Sequence, residues 1–387
     1  MLTLMLLAST LTCLITSLIL VSYYRVAPNI KGAVREYREL LEKIDNVYIG
    51  HFDVDEVSAA ALHAAVEALG DRWSYYMTPV EYANYLDRSN NRFTGIGVGV
   101  VVDTETGYIR VQYVIKGSAA ETAGLEAGDL ITGVDGEDIH GNDIDELRTL
   151  LLRPIGETVD LSVLRADGDT QMITVVYSYV FNDPVEFELI GDEIGYVSLS
   201  NFDAGSADSF ISAVQTLIEQ GAEGFIFDVR SNGGGRVTEM TRILDFLLPE
   251  GEIFVTVDRS GREESIYSDA KMIDKPAVVL VNSNSFSAAE YFAATLREYG
   301  YAEIVGEHTT GKSRMQNNFV FPWGGALHIS TSEYLTRNRV RLHDVGGLEP
   351  DHTVPLSDEE YMLFVTGRLD KDDDPQLQQA LLLLLTP

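Results

Sequence analysis

Apolar positions along the chain change their spacing several times, and each spacing predicts a different element. The stretch Leu2 to Tyr24 carries no charge and is rich in Leu, Ile, Thr and Ser. A bilayer core takes about 20 apolar residues, and a signal-peptide apolar region about 7–15. The stretch is long for the latter and no Ala-x-Ala site follows it. Residues 1–26 are therefore expected as an uncleaved membrane anchor, with a removed signal segment as the alternative. Residues 27–92 turn to helical spacing. Apolar groups sit among charges at helical intervals in Ala33 to Leu41, and an alanine-rich run from Glu56 to Leu69 ends at Gly70, a C-cap residue. Thr78-Pro79 reads as an N-cap with proline in the first helical position.

From 93 to 180 the pattern turns to short strands. Gly95-Ile96-Gly97-Val98-Gly99 leads into an apolar strand, and Tyr108 to Val111 is a second. Ser118 to Ala123 is a short helix closed by Gly124, Leu130 to Val134 a strand, and Asp143 to Leu152 a helix. Thr158 to Val163 and Gln171 to Val176 alternate as a closing pair. This order, with SAAETAGLEAGDLITGVDGEDI at its centre, resembles a PDZ domain over about 85 residues, a β-rich fold with two helices. The resemblance implies that backbone N–H groups of Gly95, Ile96 and Gly97 cradle a peptide's terminal carboxylate, while the strand from Val98 takes the peptide by strand addition. The alternative is that the glycines serve only a tight turn.

From about 181 to 356 strands and helices alternate: Ile194 to Leu199, Gly224 to Val229, Ala277 to Val281 and Ala302 to Val305 as strands, with Ser206 to Glu219, Thr238 to Leu247 and Ser287 to Tyr299 as helices. That rhythm predicts an α/β core with a largely parallel sheet. Residues 357–387 form a helical tail. Its acidic run Asp370 to Pro375 reads as a solvated linker or helix start, since the spacing of a calcium loop is missing.

Composition narrows the function. With 60 acidic residues against 28 basic ones, the net charge is −32, which excludes a nucleic-acid partner and argues against charge-driven docking to anionic lipid. The single cysteine, Cys13, lies in the expected anchor. No intramolecular disulfide, thiolate zinc site or cysteine nucleophile is available to the rest of the chain.

Three loops at strand ends carry candidate chemistry. Asp228-Val229-Arg230-Ser231-Asn232-Gly233-Gly234-Gly235 offers backbone N–H groups to an anion, but lacks the Lys-Ser/Thr that completes a phosphate loop. An oxyanion hole is the other option. Asn282 to Glu290 places serines at a helix start, where capping competes with a nucleophile. Thr309-Thr310-Gly311-Lys312 brings one of only seven lysines to a further strand end. A lysine withdrawn from water acts as a base near neutral pH, so a serine–lysine pair is open here, as is a surface lysine in a turn.

Taken together, these segments resemble the carboxy-terminal processing proteases, tail-specific serine peptidases with a PDZ domain before a ClpP/crotonase-like α/β core. Ser285-Phe286-Ser287-Ala288-Ala289-Glu290 matches the family's Ser-x-Ser-Ala-x-Glu run, and Gly311-Lys312-Ser313-Arg314-Met315-Gln316 its Gly-Lys-x-x-x-Gln run, with serine and lysine 25 positions apart. Gly70-Asp71-Arg72-Trp73-Ser74-Tyr75-Tyr76, Gly347 to Asp351 and Asp374 to Leu377 agree as well, so the likeness extends over about residues 35–385. It implies Ser287 as nucleophile, Lys312 as base, Gln316 as the residue orienting Lys312, and Gly234 or Gly235 with Ala288 as the oxyanion hole. The glycine loop departs from the family's Arg-Asn-Asn-Pro-Gly-Gly, and loss of that proline implies a looser loop. A histidine triad from His308 with Asp228 or Asp351 is the weaker alternative, since nothing couples them to Ser287. The expectations are thus a serine endopeptidase acting on protein or peptide substrates with free C-termini, with no metal or other cofactor. It is held at the cell membrane by a single pass, with its body outside the cytoplasm, or secreted if the segment is cleaved. A homodimer through the helical ends 30–90 and 376–386 is also expected. A membrane-tethered PDZ scaffold with an inactive core is the alternative from a different class.

Overall fold

The computed structural model describes residues 28–385 apart from 142–145, 147–149, 152, 166–167 and 270. The expected anchor at 1–26 and most of the expected helix Asp143–Leu152 lie outside the described residues. Among the described residues no helix is long and apolar enough to cross a membrane. The chain divides into two compact units, residues 1–64 and 65–387. The first contains α1 (Pro28–Val47) and most of α2 (Val54–Glu67), linked by a hydrogen bond from the Tyr37 hydroxyl to Ser58 Oγ at 3.4 Å.

The second unit begins with β1 (Tyr75–Met77) and α3 (Pro79–Ser89). Thr78 caps α3 as its residue type predicts. Its hydroxyl accepts from Glu81 N at 3.3 Å, and a Glu81 carboxylate oxygen accepts from Thr78 N at 2.7 Å. Next come β2 (Arg92–Gly95), β3 (Val98–Val102), β4 (Ile109–Val114), α4 (Ala119–Ala123), β5 (Leu130–Val134), β6 (Glu137–Asp138), β7 (Thr158–Leu164), β8 (Thr170–Val176) and β9 (Ser178–Phe181). Strands β3-β4-β5-β7-β8 form one antiparallel sheet with β3 at its edge, and β2 pairs with β9 as a separate two-stranded ribbon. Alternation along β7 sends Val159, Leu161 and Val163 into a core with Val111, Ile131 and Val175.

The remainder runs β10 (Val185–Ile190), β11 (Ile194–Leu199), α5 (Ser206–Gln220), β12 (Gly224–Asp228), α6 (Val237–Leu247), β13 (Gly251–Asp258), β14 (Glu263–Ser268), β15 (Ala277–Val281), α7 (Ala288–Glu298), β16 (Ala302–Gly306), β17 (Arg314–Val320), β18 (Ala326–Leu335), β19 (His352–Thr353), α8 (Asp358–Val365) and α9 (Pro375–Leu385). A sheet of order β10-β11-β12-β15-β16-β19 is parallel except at β10. Strands β12 and β15 are buried at every position, which is why they read as unbroken apolar runs. Phe225, Phe227, Val279 and Val281 point to one face, where Phe210, Met240 and Phe292 of α5, α6 and α7 meet them. Ile226, Val278 and Leu280 point to the other, where Leu377 and Ala380 of α9 cover them.

Two features depart from expectation. The segment 75–89 does not belong to a separate helical region, because β1 pairs with β18 in an antiparallel sheet of order β1-β18-β13-β14, to which β17 is added. The acidic run is not all solvated either. Asp374 is buried and ion-paired at 2.8 Å to Arg230, whose buried guanidinium also pairs with Asp228 and takes Asp374 as a second carboxylate for its remaining donors.

Candidate active site

Strands β12 and β15 run parallel and end on the same side of the sheet, the usual place for a site in an open α/β fold. The loops that follow them are stitched together. Ser285 Oγ, fully buried, donates to Val229 O at 2.7 Å and accepts from Asn282 N at 3.0 Å. Asn282 Oδ1 accepts from Ser231 N at 2.8 Å. The first serine of the motif is therefore structural. The second, Ser287, sits on a sharp strand-to-helix turn with φ +60° and ψ −123°, a region where any side chain is strained. It lines a cavity of about 840 Å³.

The glycine loop packs directly on this turn. A Cβ on Gly234 would lie 2.7 Å from Ser287 Cβ and 2.8 Å from Ala288 N, so only glycine fits there. The loop is held by Asn232, which is completely buried; its amide donates to Leu199 O at 2.7 Å, and its Oδ1 accepts from Gly234 N at 2.8 Å. This corrects two expectations. The loop is braced by Asn232, which the family's run shares, although Gly233 stands at the proline's position, and the Gly234 N–H is already engaged, so it is not free for an oxyanion. Gly235 differs. Phe202 N donates to Gly234 O and Phe202 O accepts from Arg236 N, at 2.8 and 2.7 Å. That parallel bridge turns Gly235's own N–H away from Phe202. Neither Gly235 N–H nor Ala288 N–H makes a hydrogen bond among the described residues.

Lys312 lines the same cavity, with only 9% of its surface exposed. Burial pushes its pKa down to about 8, against the upward pull of Asp71 and Glu290; Arg72 adds to the lowering. No hydrogen bond joins Lys312 to Ser287 among the described residues. Lys312 Nζ instead stands 4.5 Å from the Trp73 ring centre and 5.9 Å from that of Phe286. The lysine backbone is fixed by the Tyr334 hydroxyl, which donates to Lys312 O.

One buried carboxylate joins the two loops. Glu290 Oε2 accepts from Ser287 N at 3.1 Å and Lys312 N at 2.8 Å, and Oε1 accepts from Gly311 N at 2.6 Å and from the Thr309 hydroxyl. Burial pushes its pKa up, and these hydrogen bonds oppose the shift. Glu290 enters the sequence reading only as the last residue of the Ser-x-Ser-Ala-x-Glu run, which gives no sign of this bridge.

Gln316 of β17 also lines the cavity, but its amide donates to Arg314 O and Ser330 Oγ at 2.9 and 3.0 Å rather than meeting Lys312. His308, the histidine of the alternative triad, is outside the cavity, with Nδ1 3.1 Å from Thr309 O. Asp228 is paired with Arg230, and Asp351 accepts from Ile304 N at 2.9 Å. The histidine in the cavity is His328, stacked on Tyr75; burial pushes its pKa down to about 4 and keeps it neutral. Tyr75, Tyr85 and Arg88 complete the wall from the segment before the PDZ sheet, a contribution unread in the sequence.

The expected peptide-binding residues lie away from this cavity. Gly95 ends β2 opposite Ser178, so it belongs to the ribbon rather than to the cradle. Ile96 O and Gly97 O accept from Ala120 N and Ile115 N, both at 2.9 Å. The N–H groups of Ile96 and Gly97 make no hydrogen bond among the described residues, and Val98 opens the edge strand β3.

Comparisons with known proteins fit this architecture. A family model described as peptidase family S41 matches residues 193–354, and a PDZ-domain model matches residues 110–165. The carboxyl-terminal-processing protease of Synechocystis sp. is 31% identical over 335 residues, covering 85% of this chain and 77% of that protein. Carboxy-terminal processing protease CtpA of Bacillus subtilis is 28% identical over 319 residues, covering 82% of this chain and 68% of that protein. Among solved structures, a Bacteroides fragilis chain described as an S41 protease aligns at a TM-score of 0.53 and 19% identity, covering 87% of this chain and 92% of that one; this likeness bears on the fold alone.

Proposed function

This chain belongs to the carboxyl-terminal-processing proteases of peptidase family S41, and from that premise we propose that it cuts peptide bonds with Ser287 as nucleophile and Lys312 as general base. It is a serine-type peptidase with a PDZ domain, acting on proteins or peptides. The observation that carries the catalytic reading is a single cavity lined by Ser287, Ala288, Gly235 and Lys312. Neutral Lys312 takes the Ser287 proton as Oγ attacks the substrate carbonyl carbon. The N–H groups of Gly235 and Ala288 hold the oxyanion. The lysine ammonium then protonates the leaving amine nitrogen, and Lys312, neutral again, draws a proton from the water that hydrolyses the acyl-enzyme. The Gln316 carbonyl oxygen, which makes no hydrogen bond among the described residues, is the acceptor that orients the lysine.

The lysine sets the pH dependence. Its pKa is depressed to about 8, so the active neutral form grows as pH rises through that value. Expected is a rise in kcat/KM of about tenfold from pH 7 to pH 9, with no matching rise in substrate affinity. A profile flat over this range removes Lys312 as the base.

We further propose that the edge of β3 takes a substrate C-terminus, with the N–H groups of Ile96 and Gly97 receiving its carboxylate. Amidating the C-terminus of an apolar-tailed peptide is expected to weaken binding at least about tenfold, read by fluorescence anisotropy. Equal binding of acid and amide removes this role. On sequence pattern alone, residues 1–26 are proposed as a single-pass tether with the body outside the cytoplasm, and residues 30–90 as a surface for pairing two copies. The other proposed pairing surface, 376–386, is partly taken, because Gln376, Leu377 and Ala380 are buried against the core.

A further inference from the structure

The segment Gly70 to Tyr76 stands out in the sequence and has no role in the mechanism above. It brings Trp73 to the catalytic lysine. The Trp73 ring lies 4.5 Å from Lys312 Nζ and 5.4 Å from the Phe286 ring. The guanidinium of Arg72 covers the Trp73 ring at 4.2 Å. The turn carrying Trp73 is rigidly held. Asp71 accepts from Trp73 N at 3.3 Å and from the Ser74 hydroxyl at 2.6 Å, and it pairs with Arg314 at 3.4 Å. Ser74 Oγ accepts from Ser330 N at 3.0 Å, and β1 follows at once in register with β18. The ring beside Lys312 is therefore held in place from several sides.

We propose that Trp73 is a positioning residue for Lys312: its indole face holds the side chain away from Ser287 as a cation, and the chain swings to Ser287 when it becomes a neutral amine. An aromatic face attracts an ammonium and has little hold on an amine, so the contact distinguishes the two forms. The inference rests on Lys312 being the base. The other charged or titratable groups facing the lysine are Asp71 and Arg72 on the Trp73 segment, Glu290 on α7, and His328 and Tyr334 on β18, the last through its hydroxyl on Lys312 O. Burial holds His328 at about pKa 4, well below the lysine's range.

The test alters the ring's electrons and leaves its shape almost unchanged. The chain has two tryptophans, so a Trp323→Phe background leaves Trp73 alone to be replaced by mono-, di- and tetrafluorotryptophan in a tryptophan auxotroph. Each added fluorine weakens the hold on the cation. The acid limb of the kcat/KM profile is expected to move stepwise to lower pH, by about one unit at the most fluorinated ring. In Ser287→Ala protein carrying 5-fluorotryptophan, the ¹⁹F resonance of Trp73 is expected to titrate with the wild-type acid limb, and Lys312→Met is expected to abolish that titration. An acid limb that stays put, or a resonance that titrates unchanged in Lys312→Met, overturns the proposal. If Lys312→Met is inactive while the limb stays put, the role of Trp73 alone fails. If Lys312→Met still cleaves at the wild-type rate, the catalytic reading fails and takes this inference with it.

Discussion

Ser287→Ala is expected to lower cleavage of a protein with an apolar C-terminus by about 10⁴-fold or more, and Lys312→Ala by a comparable factor. The two changes act on one proton transfer, so the double variant is expected to be no slower than either single one. Lys312→Arg is expected to fail equally, because a guanidinium keeps its proton at any working pH. Initial rates followed by mass spectrometry on protein lacking residues 1–26, with circular dichroism to confirm folding, measure all four. A Ser287→Ala rate within about a hundredfold of wild type would sink the assignment, since losing a true nucleophile leaves far less. The same experiment tests the scaffold alternative, in which the wild-type protein itself does not cut.

The second large effect concerns stability. Arg230, Asp228 and Asp374 expose only 2%, 5% and 6% of their side chains, so this network forms out of contact with water. Arg230 Nη1 donates to Asp374 Oδ2 at 2.8 Å and to Gln376 Oε1 at 3.0 Å, while Nε lies 3.0 Å from both Asp228 oxygens. The Tyr196 hydroxyl donates to Asp228 at 2.7 Å. Removing one partner strands the others without solvent. Arg230→Met or Asp374→Ala is therefore expected to lower unfolding free energy by about 3–5 kcal/mol, measured by urea denaturation. The exposed pair Arg262–Glu264 is the control, and Glu264→Gln is expected to change stability by less than about 1 kcal/mol. An Asp374→Ala protein as stable as that control would show that α9 docks without the network.

Parts of this structure can be read from the chain, and parts cannot. The parallel core is legible because strands such as Gly224–Asp228 and Ala277–Val281 are buried on both faces and so lack polar interruptions. Ser287 and Lys312 are legible because their motifs survive intact. The antiparallel sheet is not legible, because β18 is only partly buried through its middle and mixes His328, Ser330, Thr331 and Glu333 into its run. Nor is β1, whose three residues are too short for periodicity. The bridging role of Glu290 is not legible because its partners at Gly311 and Lys312 lie about twenty residues further on. The bracing by Asn232 is hidden because its hydrogen bonds need the folded loop to exist, while the visible change is the loss of proline at Gly233. Asp374 reads as solvated because its partner is 144 residues away.

That separation has a consequence for how the protein is made. Synthesis proceeds from the N-terminus, so the β12 strand and the Arg230 loop leave the ribosome long before α9 does. Until then the sheet face bearing Ile226, Val278 and Leu280 has no cover, and Arg230 lacks its second carboxylate. The cover for that face and the second carboxylate of Arg230 are thus supplied among the last steps of synthesis. A nascent chain stalled before residue 374 would expose that apolar face and leave the Arg230 network one carboxylate short.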